Sequence, residues 1–220
     1  LMIRRPPRAT LGPDTTLGRS TIVGGTAFLS GCKSKTGVSM IFSDADISLL
    51  NEIADTILPT TKTPGAKAAK VGQFMTVMVN DCYEAPDQKI FHEGLVKIDE
   101  ASKDKNGKSF MESTPQQRHD LLVDIDKKVK DYNQKINEYV SSLTPDQRTQ
   151  MKIQQDFTGS DPLAEKRREN PDYYFQMMKQ LTLLGYFTSE IGCTQAMRYV
   201  ERPGSYNGDL PYKKGDKAFA

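Results

Sequence analysis

TPQQRHDLLVDIDKKVKDYNQKINEYV, residues 114–140, decides the fold class. Thr114 suits an N-cap, because its hydroxyl can accept from an otherwise orphaned backbone N–H. Pro115 suits the first helical position, where its missing N–H costs nothing. Behind that start Leu121, Leu122, Ile125, Val129, Tyr132, Ile136, Tyr139 and Val140 return at the three- and four-residue steps of one helix face. Leu121 and Ile125 are expected to face inward, with Leu122 more peripheral.

The same grammar extends in both directions. Ser43-Asp44-Ala45-Asp46 reads as an N-cap with acid in the first turn, followed by Ile47, Leu50, Ile53, Ala54 and Ile57 until Pro59 stops the helix. Val71, Phe74, Met75, Met78, Val79 and Cys82 trace a second apolar face, broken at Pro86. A third helix is predicted over residues 87–103, with Ile90, Phe91, Leu95 and Ile98 inward and residues 104–107 as a loop. Thr144-Pro145 and Asn170-Pro171 repeat the start signal, the latter before Tyr173, Tyr174, Phe175, Met178, Leu181, Leu184 and Tyr186. No stretch alternates with period two for long. The class is therefore all-α, an irregular helical bundle with an extended Gly/Pro/Tyr-rich C-terminal arm over residues 200–220.

Composition bounds the function. The chain has 220 residues, 37% of them hydrophobic, with 16 Gly, 12 Pro, 3 Cys and no Trp. That suits one globular domain and is too poor in cysteine for a disulfide scaffold. The net charge of +2 gives no field for nucleic acid, so no nucleic-acid partner is expected. Residues 1–32 hold Arg4, Arg5, Arg8 and Arg19 against Asp14, so the excess positive charge lies in a leader.

That leader reads as an address. Leu1–Arg19 resembles a translated sequencing-adapter fragment and is set aside as foreign, although Arg4-Arg5 also admits a twin-arginine reading. Residues 20–32 have the order of a signal peptide, ending in Leu29-Ser30-Gly31-Cys32, which resembles the bacterial lipobox. The expectation is cleavage before Cys32, lipid attachment to its sulfur, a tether over residues 33–42, and a single helical domain from 43 to 220. The protein would be a membrane-anchored lipoprotein of the bacterial periplasm.

Catalytic motifs fail in turn. His92 and His119 form no H-x-x-x-H pair and read as ordinary helix residues. Cys82 and Cys193 form no C-x-x-C. They read either as small buried hydrophobes or as a disulfide pair permitted by an oxidising compartment. Asn106-Gly107-Lys108-Ser109 has the ending of a P-loop but lacks its leading glycine and strand. No G-x-G-x-x-G occurs, so no nucleotide cofactor is expected in this chain.

The segment 181–212, LTLLGYFTSEIGCTQAMRYVERPGSYNGDLPY, stands apart. It concentrates tyrosine, arginine and glycine, a composition suited either to an interface or to a tail folded over its own core. Its Gly-Tyr-Phe-Thr-Ser-Glu-Ile-Gly core, with Arg198-Tyr199 and Pro203-Gly204 beyond it, resembles the small subunit of gluconate 2-dehydrogenase, the subunit 3 family. The resemblance extends from about Asp44 to Tyr212. Asp209 departs from it, standing where many relatives carry Cys.

The resemblance implies an accessory subunit without catalytic, metal or cofactor residues of its own. The FAD would lie in a large subunit of the glucose–methanol–choline type and haem c in a cytochrome partner. The substrate would be a sugar, sugar acid or glycoside. On this reading Tyr186, Phe187, Glu190, Gly192, Arg198, Tyr199, Pro203, Gly204, Tyr206 and Gly208 face the flavoprotein, with Arg198 and Tyr206 as anchors and Arg198 also able to bond Glu190. The rival reading is a free-standing periplasmic lipoprotein that binds a small ligand or another envelope protein.

Overall fold

The computed structural model describes residues 41–202, 204, 208–211 and 213–219. The chain divides into two units, Leu1–Gly37 and Val38–Ala220, and the described helices all belong to the second. They are α1 (Asp44–Ile57), α2 (Val71–Cys82), α3 (Ala85–Asn106), α4 (Pro115–Ser142), α5 (Pro145–Thr158), α6 (Ala164–Arg168) and α7 (Tyr173–Phe187), followed by a π-helical turn, Gly192–Ala196. Among the described residues no strand forms; a lone bridge pairs Arg198 with Phe219. No described helix is long and apolar enough to cross a membrane.

The expected caps form. Ser43, Thr114 and Thr144 each accept from the backbone N–H three residues on, and Asp46, Gln117 and Gln147 return the bond to the cap's own N–H. Three boundaries differ from the sequence reading. Pro86 lies in the first turn of α3 instead of ending α2, because proline's absent N–H is harmless there. Residues 104–106 continue α3, which closes at Gly107 with φ 71. Asn170 does not cap α7; its Oδ1 accepts from Asp172 N at 3.0 Å in a turn, and α7 starts at Tyr173. α6 carries no apolar period and was not expected.

α7 is the centre. It packs against α1, α2, α3 and α4. It buries Tyr174, Phe175, Met177, Met178, Leu181 and Tyr186, so it is apolar on most of its circumference, as an enclosed helix must be. Around it lie Leu50 and Ile53 of α1, Met75 and Val79 of α2, Phe91 and Ile98 of α3, and Leu121, Ile125 and Val129 of α4. Each such side chain contributes about 1.5–3 kcal/mol on leaving water. The polar residues on α7 are answered one by one. Thr182 Oγ1 donates to Met178 O at 2.8 Å, Asn133 Nδ2 donates to Gln176 Oε1 at 3.0 Å, and Lys179 Nζ reaches Asp126 Oδ1 at 2.6 Å. Gly94 lets α3 close on α7, because a Cβ there would sit inside the Tyr174 side chain.

The inward face of α4 is confirmed, with one correction. Leu122 is 4% exposed, as buried as Leu121, and α4 packs against both α1 and α7. Beyond Val129 only Ile136 of α4 is buried, and α5 buries nothing. Leu184, expected inward on α7, is instead 46% exposed. Phe42, expected in the tether, packs against Phe91 with ring centroids 6.1 Å apart.

Two outcomes are expected in urea unfolding. Leu121→Ala, Leu122→Ala and Ile125→Ala should each cost about 2–5 kcal/mol, whereas Val123→Ala, on the outer face, should stay within about 0.5 kcal/mol. Equal losses at Leu122 and Val123 would refute the face assignment. The second outcome concerns pH. Burial works to raise the Asp126 carboxyl, but hydrogen bonds from Lys130 and Lys179 outweigh it and hold its pKa below the usual carboxylate range. A depressed folded pKa stabilises above the unfolded value of about 3.9 and is lost as pH falls through the folded one. The stability gap between wild type and Asp126→Asn should therefore be flat near neutrality and shrink below about pH 4.

Candidate functional site

The expected interface begins where α7 ends, and its first residues prove structural. Tyr186 is 4% exposed and donates its hydroxyl to Pro64 O at 2.6 Å, so it belongs to the core and not to a docking surface. Gly192 is buried against the same residue; a Cβ on it would fall on the Tyr186 carbonyl oxygen. Ser189 ties the two together. Its Oγ donates to Tyr186 O at 2.6 Å and accepts from Gly192 N at 3.0 Å. Cys193 N then donates to Ser189 O at 2.9 Å, and Met197 N closes the π turn on Gly192 O at 3.0 Å. Tyr-Phe-Thr-Ser-Glu-Ile-Gly is thus a backbone corner. It needs a hydroxyl at Ser189 and no side chain at Gly192.

Past the corner the chain doubles back. Arg198 N donates to Ala218 O at 2.7 Å and Arg198 Nε to Lys217 O at 3.0 Å, while the guanidinium lies 4.5 Å from the centre of the Phe219 ring. Lys217 Nζ donates to Gln195 O. Arg198 therefore latches the C-terminal strap and does not turn to Glu190. Phe187, Glu190, Tyr199, Gly204 and Gly208 are exposed. Pro203 and Tyr206 lie outside the described residues, as do Cys32 and the leader.

Sequence reasoning named Phe187 but placed Leu184 inward and did not single out Leu183, both of which lie beside it on α7. Leu183 and Leu184, with Phe187 one turn further along α7, keep 39%, 46% and 39% of their surface exposed. Their types and spacing match those of core residues, so only the packing distinguishes them.

The cysteines do not pair, and Cys82 is exposed, against the reading of it as a buried hydrophobe. Its Sγ rests 4.0 Å from Met78 Sδ, and Cys193 Sγ donates to Phe187 O at 3.2 Å. His92 stacks on Phe42 at 4.0 Å, and His119 Nδ1 lies 3.5 Å from Asp120 Oδ1. Among the described residues no group of three or more His, Cys, Asp or Glu could hold a metal ion.

A polar cleft of about 580 Å³ opens between the α2–α3 corner, the α5–α6 loop and the start of α7. Arg168 spans it. Its Nε and Nη2 meet Asp87 Oδ1 and Oδ2 at 2.7 and 2.8 Å, and Nη2 also reaches Glu84 Oε2 at 2.7 Å. These bonds, that from Asp87 foremost, raise the Arg168 pKa above its ordinary value. Burial, with Tyr173 and Asp87 nearby, pushes the Tyr83 phenol up to about 12. Asp87 and Glu84 are engaged by Arg168 and Asp161 by Arg167, and the Tyr83 phenol stays protonated at neutral pH. The cleft is a strut that fastens α6 to the bundle.

The family model described as gluconate 2-dehydrogenase subunit 3 matches residues 44–204. The chain belongs to the gluconate 2-dehydrogenase subunit 3 family. That family is a subunit of a dehydrogenase complex. The match starts at α1 and runs through the corner and Arg198, covering every helix described above. No curated protein and no solved structure matches the chain.

Gly192→Ala should cost about 1–3 kcal/mol or more in urea unfolding of the isolated chain, because its Cβ meets a backbone oxygen that cannot swing aside. Ser189→Ala should cost about 1–3 kcal/mol, since it strips partners from two backbone groups. Exposed Thr194→Ala is the control. Unchanged stability for Gly192→Ala would show that the glycine does not hold the corner.

Proposed function

We propose that this chain is the non-catalytic accessory small subunit of a periplasmic FAD-dependent dehydrogenase complex of the glucose–methanol–choline type. It supports export, folding or stability of the flavoprotein subunit, which oxidises an alcohol group of a sugar, sugar acid or glycoside to a carbonyl. A c-type cytochrome receives the electrons. A lipid on Cys32 holds the complex at the membrane.

The observation that carries this reading is the family match through the α7 corner. The side-chain chemistry supports it. The corner after α7 is built from backbone and hydroxyl contacts that set shape, and several carboxylates of the bundle are held in ion pairs. Asp87 and Glu84 hold Arg168, and Asp126 holds Lys130 and Lys179.

Affinity purification of the tagged chain from its host tests this. A flavin absorbance spectrum and a dehydrogenase large subunit should come down with it, and removing the chain's gene should lower the yield of active flavoprotein. Recovery of the chain alone, with dehydrogenase activity intact in the deletion, would favour a free-standing lipoprotein. In the same host Cys32→Ser should move the chain out of the detergent phase. Unchanged partitioning would reject the anchor.

A further inference from the structure

α5 and α6 are joined to the bundle differently from the helices around α7. Neither buries a side chain. Among the described residues the side-chain hydrogen bonds of α5 all end within residues 143–160. In the loop between the two helices Asp161 accepts from Leu163 N at 2.9 Å and pairs with Arg167 Nε at 2.8 Å, which braces the loop to α6. The polar ties to the bundle leave from α6 alone. Arg168 grips Asp87 and Glu84, the Tyr132 hydroxyl donates to Lys166 O at 3.0 Å, and Lys166 Nζ lies 4.3 Å from the centre of the Tyr139 ring.

We propose that residues 143–168 are a lid over the polar cleft. Arg168 holds it shut, and it opens as one body when that clasp is released, while the bundle around α7 stays folded. Segments with few buried apolar contacts open at a lower free energy than the whole protein unfolds. The clasp dominates the closed state because its bonds are charge-assisted and bidentate and its Arg168 and Asp87 side chains are mostly buried. The Tyr139 contact is exposed and weaker. Both pivots are visible in the chain. Leu143 and Thr144 are extended residues between two helices, with ψ 145 and 157. At the other end Asn170 is buried and Lys97 Nζ donates to Pro171 O at 3.4 Å, so the lid swings from a fixed post. The cleft of about 580 Å³ already parts Gln154, Gly159 and Ser160 from Tyr83 and Tyr173, so opening breaks little packing there. The open state bares the Asp87 and Glu84 carboxylates that Arg168 occupies in the closed one. This device is independent of the accessory-subunit reading.

Amide hydrogen exchange of the full chain, read by mass spectrometry, tests the lid. In the wild type the amides of α5 and α6 should exchange through an opening that responds weakly to urea, because it exposes little surface. Those of α7 should exchange only with the strongly urea-dependent global unfolding. Arg168→Ala should speed α5 and α6 alike by about ten-fold, as loss of a hydrogen bond to a charged group implies. Leu50→Ala, a core truncation on α1, should speed α7 by about ten-fold or more and leave α5 and α6 unchanged, since the open state keeps the core. Raising NaCl from about 0.05 to 1 M should speed α5 and α6 in the wild type, where the clasp is screened, and much less in Arg168→Ala. The wild-type urea and salt measurements still decide the question if a variant folds poorly. Acceleration confined to α6 in Arg168→Ala would mean that α5 frays by itself, and overturns the lid. So does equal acceleration of α5, α6 and α7 in Leu50→Ala, or a wild-type urea response of α5 and α6 as steep as that of α7.

Discussion

The burial of α7 is the constraint on which the rest of the bundle depends. A helix carrying Tyr174, Phe175, Met177, Met178, Leu181 and Tyr186 cannot be covered from one side. Four helices meet it, and each surrenders an apolar face to do so. The closest approach is at Gly94, where α3 has no side chain and the Tyr174 ring takes the space. Cores are packed to crystal-like density, so adding even one methylene at such a point displaces a neighbouring helix. The polar atoms on α7 follow the same logic: Thr182 bonds back to its own helix, and Lys179 and Gln176 find partners on α4.

The corner after α7 shows that residues of a family motif can serve the fold. Ser189 bridges Tyr186 O and Gly192 N, which turns the chain within a few residues of a buried tyrosine. The turn fixes two directions at once. Upstream it closes on Tyr186, whose hydroxyl is held by Pro64 O. Downstream it sends Arg198 to the position where the returning strap closes on it. Motif residues chosen as interface candidates for their aromatic and glycine content divide into those that build the corner, Tyr186 and Gly192, and those that stay exposed beyond it, Phe187, Glu190 and Tyr199.

The outer part of the bundle is held by different forces. α5 buries no side chain, so its ends carry the burden: a reciprocal capping box at Thr144 and a left-handed glycine at Gly159. Arg168 fastens the adjoining α6 to the start of α3 through Asp87 and Glu84. Charge-assisted bidentate contacts of this kind fix geometry as well as contributing energy. An inner bundle held by apolar burial and an outer pair of helices held by caps and ion pairs differ in their sensitivity to salt and pH.

Local chemistry made much of this legible in advance. Ser43, Thr114 and Thr144 announce helix starts because capping is a matter of three or four adjacent residues, and the periodic stripes of α1, α2 and α4 announce which faces turn inward. Gly-Tyr-Phe-Thr-Ser-Glu-Ile-Gly marks the family for the same reason, as a contiguous motif. What depends on distant parts of the chain could not be read this way. Leu184 and Leu181 are the same residue type on the same helix, yet one is exposed and one buried, because only packing determines which side α7 leaves uncovered. Tyr186 passes for an interface aromatic until Pro64, 122 residues away in sequence, accepts its hydroxyl. The pairing of Arg168 with Asp87 spans 81 residues and leaves no local trace. Helix type and limits are set by neighbouring residues, so the sequence by itself determined them; exposure and partnership depend on what folds against each surface, so only the tertiary structure decided them.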